Sequence, residues 1–244
     1  MSYPGGKGAS GTAQKIISWM PPHSAYAELF AGAATIFGTK RPASYNFAGD
    51  IDADVVSKII TPAGPEEFCI ECVCAFEWLE QRIGWYKNLL IYLDPPYLPS
   101  KLYQQNGRGR QRYKHKFSVE CHEKLLSVIT KLKCYVMISG YDSTMYNRVL
   151  RAPIWTKKTF MAQTRAGRRE ECIWMNFNPD ASPERHDYRF IGDTFRERER
   201  IRKMQNRWLK KFTAMAPIER NAMLKVLTES NYGNHVNQND ERNH

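Results

Sequence analysis

The sequence predicts an α/β chain, a mostly parallel sheet with helices on both faces, followed by a small basic helical extension. Three observations lead there. Short apolar runs alternate with stretches of helical spacing in a β-α-β-α rhythm through the first sixty residues, the pattern of parallel strands joined by crossover helices. The length of 244 residues suits one such core plus an appendage, with 42% hydrophobic residues to fill it and 25% charged residues to keep its surface wet. Beyond Asn178-Pro179 the composition changes to the charged run R-E-R-E-R-I-R-K-M-Q-N-R-W-L-K-K-F.

Taken in order, Ala13 to Met20 has apolar residues near helical spacing and stops at Pro21-Pro22, which a helix does not easily continue through. Tyr26 to Phe30 reads as a short strand, A-G-A-A as the turn after it and T-I-F-G as the start of a helix. A second strand runs from Ser44 to Ala48 and ends at Gly49-Asp50, with a helix from Asp54 to Ile60 behind it. Phe68 to Asn88 reads as mostly helical. Leu89 to Leu93 is an uninterrupted apolar run, as expected of a strand buried on both faces, and Asp94-Pro95-Pro96-Tyr97 ends it at a rigid corner.

Leu98 to Lys116 holds Gly107, Gly109 and the six cations Lys101, Arg108, Arg110, Arg112, Lys114 and Lys116 without one acid, and reads as a long cationic loop. Helix resumes from Ser118 to Leu132, a strand spans Tyr135 to Ser139, and a helix lies around Ser143 to Leu150. Two further strands, from Ile154 to Met161 and from Glu171 to Phe177, are close enough to pair as a hairpin. The charged run is a helix, Pro217 to Leu227 a short second one, and the Asn-rich end from Asn231 frays. The expected organisation is therefore a main domain over residues 1–178, a basic helical extension over 179–230 and a disordered tail over 231–244.

Composition excludes several classes. No apolar run approaches the roughly 20 residues that span a bilayer, and the N-terminus lacks a signal-peptide stretch, so a cytoplasmic chain with no membrane partner is expected. Thirty-six Lys and Arg against 25 Asp and Glu give +11, which predicts attraction to a polyanion. Of six cysteines only Cys69, Cys72 and Cys74 are close together. Neither a second C-x-x-C nor an H-x-x-x-H completes a tetrahedral site, so no metal is expected and the thiols read as reduced and structural.

The sharpest chemical signal is Asp94-Pro95-Pro96-Tyr97 at the end of a parallel strand, where open α/β sheets bind ligands. Asp94 can accept a hydrogen bond from an exocyclic amine, the Pro95 carbonyl can accept a second, and Tyr97 can stack on a planar ring. Pro95 and Pro96 fix the dihedrals and leave carbonyls without competing donors; a plain strand-ending proline turn is the alternative. The second signal is A-E-L-F-A-G-A-A, a strand-to-helix turn whose Phe30 and Gly32 let a ligand approach the backbone, unless its small residues serve only packing. Asp50 follows about 20 residues on, where a nucleoside's ribose hydroxyls are held. Without a full G-x-G-x-x-G cradle, the turn suits a phosphate-free nucleoside such as S-adenosylmethionine rather than a dinucleotide. The third is Tyr3-Pro4-Gly5-Gly6-Lys7-Gly8, which taken alone reads first as a flexible end with an incidental Lys.

Together, in this order, these motifs resemble the DNA adenine methylase (Dam-type) family of N6-adenine methyltransferases. C-H-E-K-L-L, V-M-I-S-G-Y-D-S-T-M-Y and E-E-C-I-W-M-N-F also look like its phage-type members, so the similarity spans roughly residues 1 to 178. The resemblance implies a Rossmann-like methyltransferase sheet, S-adenosylmethionine as methyl donor, DNA as partner, a bacterial or phage-infected host cell and a setting such as restriction-modification. It further implies that Tyr3 and Lys7 contact the donor, that Phe30 and Gly32 line its turn and that Asp50 holds its ribose. Asp94 then lies where donor and target amine meet, with Pro95, Pro96 and Tyr97 completing the catalytic corner.

One departure bears on specificity. Dam-type enzymes usually carry a recognition segment between the acid and D-P-P-Y, whereas about forty residues separate Asp50 from Asp94 here, most of them needed for helix and strand. The cationic loop and the C-terminal helices are then left to hold DNA through phosphates, which predicts a short or relaxed target. Cytosine-N4 methylation, RNA adenine methylation and a non-catalytic nucleic-acid-binding role on the same fold remain the competing readings. For Arg196 to Lys211, a solvated helix laced by Arg/Glu pairs competes evenly with DNA binding.

Overall fold

Strands β1 (Ala25–Leu29) and β4 (Leu89–Leu93) lie side by side in parallel, and every residue of both is buried. Strands covered on both faces read as continuous apolar runs, which is why L-L-I-Y-L shows no polar alternation. In this computed structural model of the chain, Lys7 and residues 11–98, 117–164 and 167–240 are described. The remaining strands are β2 (Tyr45–Asp50), β3 (Glu67–Cys72), β5 (Tyr135–Gly140), β6 (Thr156–Thr164) and β7 (Gly167–Met175). They form one seven-stranded sheet in the order β3-β2-β1-β4-β5-β7-β6.

The first five strands are parallel, whereas β7 runs antiparallel to both β5 and β6. The order reverses between β1 and β4, and the strands' C-terminal ends at such a reversal are the usual ligand position of a doubly wound, Rossmann-like sheet.

Residue parity sorts the two faces. Ala25, Ala27 and Leu29 of β1 and Leu89, Ile91 and Leu93 of β4 pack with α4 (Ala75–Arg82), α5 (Val119–Ile129) and α6 (Thr144–Val149) through Trp78, Leu126 and Tyr146. Tyr26, Leu90 and Tyr92 face the other way, against Ile16 and Ile17 of α1 (Thr12–Ser18) and Ile36 and Phe37 of α2 (Thr35–Thr39). A four-residue helix, α3 (Ala53–Val56), follows β2 and is capped by the Asp52 carboxylate, which accepts from the Asp54 amide at 3.0 Å.

Two sequence expectations need correction. Phe68 to Asn88 is not mostly helical: Phe68 to Cys72 belong to β3, which pairs in parallel with β2, and helix begins only at Ala75. An edge strand covered only in part alternates weakly, and F-C-I-E-C merges with the helical spacing after it. Residues 179–191, assigned by composition to the extension, lie with the α/β unit, which runs from Met1 to Ile191. The Asp187 carboxylate accepts from the Arg41 amide at 2.8 Å, the His186 amide donates to the Met20 carbonyl at 3.1 Å, and Arg189 donates to the Thr39 carbonyl at 3.0 Å.

The second unit, Gly192 to His244, holds α7 (Phe195–Thr213) and α8 (Pro217–Asp240), the latter longer than the expected 217–227. Thr194 starts α7 by accepting from the Glu197 amide at 3.1 Å, while Glu197 accepts from the Asp193 amide at 3.0 Å, a reciprocal cap. Among the described residues, no helix is long and apolar enough to cross a membrane.

Candidate active site

The turn leaving β1 is built from left-handed backbone. Phe30, Gly32 and Ala34 have φ of 61°, 51° and 48°, so two residues bearing a Cβ occupy a region that glycine favours. Such strain persists where surrounding contacts over-determine it, often at ligand sites. Here the Ala31 amide donates to the Gly49 carbonyl at 3.0 Å and the Gly32 amide donates to Asp50 Oδ2 at 2.9 Å. Asp50 Oδ1 accepts from the Asp52 amide at 3.0 Å. Among the described residues each carboxylate oxygen thus accepts one backbone hydrogen bond, and its second lone pair can take a donor such as a hydroxyl.

Across the reversal, Asp94 follows the last residue of β4, and its amide donates to the Leu29 carbonyl at 3.4 Å. Its Oδ1 is buried. The Lys7 ammonium lies 3.1 Å from that oxygen as an ion pair, which leaves Oδ1 a second lone pair for a further donor. Lys7 is held ahead of α1, where its carbonyl accepts from the Ala13 amide at 3.2 Å.

Lys7 is also paired with Glu171, Nζ to Oε2 at 3.0 Å, and donates to the Tyr97 hydroxyl. The Tyr97 hydroxyl in turn donates to Glu171 Oε2 at 3.2 Å. Burial raises the Asp94 carboxyl above its ordinary value and the Glu171 charge adds to the rise, while the Lys7 charge and hydrogen bonds from Lys7 and Tyr97 oppose it. Burial alone would lower the Lys7 ammonium, but Asp94 and Glu171 outweigh it and keep Lys7 charged. Tyr97 is pushed up by burial and the neighbouring carboxylates, so it stays a protonated donor. Its ring meets Tyr141 edge-on, centroids 4.7 Å apart.

The structure therefore brings Lys7, Phe30, Gly32, Asp50 and Asp94 with Pro95, Pro96 and Tyr97 to the C-terminal edge of the sheet. Tyr3 and the loop cations Lys101, Arg108, Arg110, Arg112, Lys114 and Lys116 lie outside the described residues. Glu171 was not anticipated. Residues 171, 173 and 175 of β7 alternate onto the same face as Leu90, Tyr92 and Asp94, and the antiparallel course of β7 puts its early residues beside the end of β5. Parity was readable in G-R-R-E-E-C-I-W-M, but the strand order that uses it was not.

Glu28 was passed over too. It is 3% exposed and accepts from the Tyr26 hydroxyl at 2.8 Å. Burial pushes its carboxyl up to about 8, so it is protonated at neutral pH. Lys40, over the Tyr26 ring at 4.3 Å, is drawn down by burial to about 7. His122 is a buried structural residue whose Nδ1 lies 2.8 Å from the Tyr146 hydroxyl. All six cysteines are free thiols, and among the described residues no group of three or more His, Cys, Asp or Glu side chains is arranged to hold a metal.

No protein-family model matches the chain, and no curated protein does. Solved structures do resemble it. The magnesium protoporphyrin IX methyltransferase of Synechocystis PCC 6803 with bound SAM is 11% identical over 67% of this chain and 77% of its own, TM-score 0.43. A putative RNA methyltransferase from Pyrococcus horikoshii is 12% identical over 69% of this chain and 82% of its own, TM-score 0.42. A putative methyltransferase from Escherichia coli is 15% identical over 71% of this chain and 90% of its own, TM-score 0.42.

Proposed function

We propose that the chain is an S-adenosylmethionine-dependent methyltransferase acting on the exocyclic N6 amine of adenine in DNA. The observation that carries this reading is the buried Asp94 carboxylate at the topological reversal of the sheet, ion-paired to Lys7 and followed by the corner of Pro95 and Pro96. A buried carboxylate has lone pairs beyond its ion pair, and these can take a donor that arrives with a ligand.

The donor set fits a nucleoside. The left-handed turn from Phe30 to Ala34 offers small residues for close approach, and Asp50 keeps lone pairs for ribose hydroxyls. When bound, S-adenosylmethionine supplies an electrophilic methyl group for an amine nitrogen and leaves as a neutral thioether. The chain's own contribution is orientation. An adenine amine is a weak nucleophile because its lone pair is delocalised into the ring, and two acceptors on its N–H groups favour the pyramidal, reactive form. Asp94 Oδ1 and the Pro95 carbonyl are those acceptors, fixed before the base arrives, so the effect is electrostatic preorganisation. Lys7, shared between Asp94 and Glu171, opposes the rise that burial imposes on the Asp94 carboxyl. The base leaves its stack to reach this corner, as base-modifying enzymes require.

The stretch between Asp50 and Asp94 is spent on α3, β3, α4, a 3-10 turn at Ile83–Trp85 and β4. That leaves no separate recognition segment there and supports a short or relaxed target. Incubation with methyl-labelled S-adenosylmethionine and equal masses of plasmid DNA, transfer RNA and ribosomal RNA tests the reading. Label on DNA is expected; label on RNA alone moves the substrate to RNA, and label on none leaves a binding role.

A further inference from the structure

Helix α7 carries eight Lys and Arg against two Glu, +6 of the chain's +11. At 3.6 residues per turn, Arg196, Arg200, Lys203, Arg207, Lys210 and Lys211 fall within an arc of about 100°, and neither Glu197 nor Glu199 lies inside it. All six are exposed. Among the described residues no ion pair engages any of them: the pair made within α7 joins Arg202 to Glu199 at 2.9 Å, beside the stripe. The acid-free row therefore carries charge that no ion pair of its own helix offsets among the described residues. Like charges at spacings of three and four oppose helix formation, so this row is under repulsion that a polyanion relieves.

The other side of the helix differs. Ile201, Trp208 and Phe212 share it, with Leu209 beside them, and Trp208 and Leu209 are 55% and 60% exposed. The stripe from Arg196 to Lys211 is about 22 Å long at 1.5 Å per residue, a row of point charges on a stiff rod. That form matches the regular phosphates of a duplex, and it contains no Asn or Gln to read base edges.

We infer that the acid-free face of α7 is a phosphate-binding surface for duplex DNA that positions the nucleic acid without reading its sequence. The inference rests on the proposed DNA substrate for its choice of polyanion, but not for the surface itself. It predicts that binding is strongly salt-dependent and insensitive to sequence.

The test measures affinity for a 30-base-pair duplex at several salt concentrations, without S-adenosylmethionine, for the full chain, for the triple variant Arg200→Gln, Lys203→Gln, Arg207→Gln, and for Arg202→Gln as the control beside the stripe. Gln keeps helix propensity close to that of Arg and Lys, and circular dichroism verifies the helix. Each lost phosphate contact reduces the slope of log affinity against log salt by about 0.9, so the triple variant is expected to lose about 2.7 and the control nothing. An unchanged slope in the triple variant, or an equal change in the control, overturns the inference. So does binding of the unmodified chain to anionic vesicles or single-stranded RNA in place of the duplex. A slope change without any methyl transfer would retain this surface and refute the proposed activity; methyl transfer with an unchanged slope would do the reverse.

Discussion

Replacing Glu171 by Gln keeps the side-chain shape and removes one of the two carboxylates that hold Lys7. The ammonium then loses the charge of its 3.0 Å partner and keeps Asp94 as its one carboxylate, beside the Tyr97 hydroxyl, while that hydroxyl loses an ionised acceptor at 3.2 Å. A hydrogen bond to a charged group contributes about 1.5–3 kcal/mol, and Glu171 is nearly fully buried, so little of this is screened by water. For a unit of this size, about 2–4 °C per kcal/mol gives a fall in Tm of roughly 3–12 °C. The chemistry should suffer separately. With one anion to serve, Lys7 is drawn onto Asp94 and competes with the incoming amine for Oδ1, and loss of one such bond corresponds to a transfer rate about tenfold to a hundredfold lower. Thermal unfolding at pH 7 gives the first quantity and single-turnover transfer from S-adenosylmethionine to DNA gives the second. A variant with unchanged Tm and an unchanged rate would refute the assignment of Glu171 to the Lys7–Asp94 cluster.

Glu28 is ionised near 4.5 in the unfolded chain but holds its proton up to about 8 when folded, so between those values the folded state binds the extra proton and stability falls as pH rises. The buried His23 and His122, held down to about 2 and about 4, give the opposite slope over pH 5–7, so the Glu28 part is read as a difference: from pH 5 to pH 7 the unmodified chain should lose up to about 2.7 kcal/mol relative to Glu28→Gln, as read from urea midpoints. Asp50→Ala removes the acceptor for both the Gly32 and Asp52 amides and is expected to weaken S-adenosylmethionine binding by at least tenfold in calorimetry; unchanged affinity would exclude Asp50 from the donor site. Ala34→Gly relieves a left-handed residue worth about 1–2 kcal/mol against an entropy cost of about 0.4–1 kcal/mol and about 0.8 kcal/mol for its buried methyl, so a change within about 1 kcal/mol of zero is expected in chemical denaturation, and a loss above about 2 kcal/mol would refute the strain.

What the sequence disclosed follows burial. β1, β2, β4 and β5 were legible because strands inside the sheet read as apolar runs, and the turn after each announced itself by small residues or prolines. β3 was not, since at the edge its residues are mostly half-exposed and its hydrogen-bonding partner β2 lies in another part of the chain. The same logic divides the site. Asp50 and Asp94 were legible because each directly ends a strand, so the rule placing ligands at the carboxyl ends of parallel strands applies to them without further topology. Glu171 sits in the first half of a strand, and it reaches the site only because β7 runs antiparallel beside β5. Glu28 was hidden for another reason: a carboxyl that keeps its proton behaves as a core residue, and nothing in A-Y-A-E-L distinguishes it from an ionised one.

The most direct test of the central claim is nucleoside analysis of plasmid DNA after incubation with S-adenosylmethionine and either the unmodified chain or its Asp94→Ala variant. Mass spectrometry should detect N6-methyladenine with the unmodified chain and none with the variant. N4-methylcytosine in its place, N6-methyladenine formed equally by both proteins, or no methylated base from either would contradict the assignment of adenine methylation to Asp94.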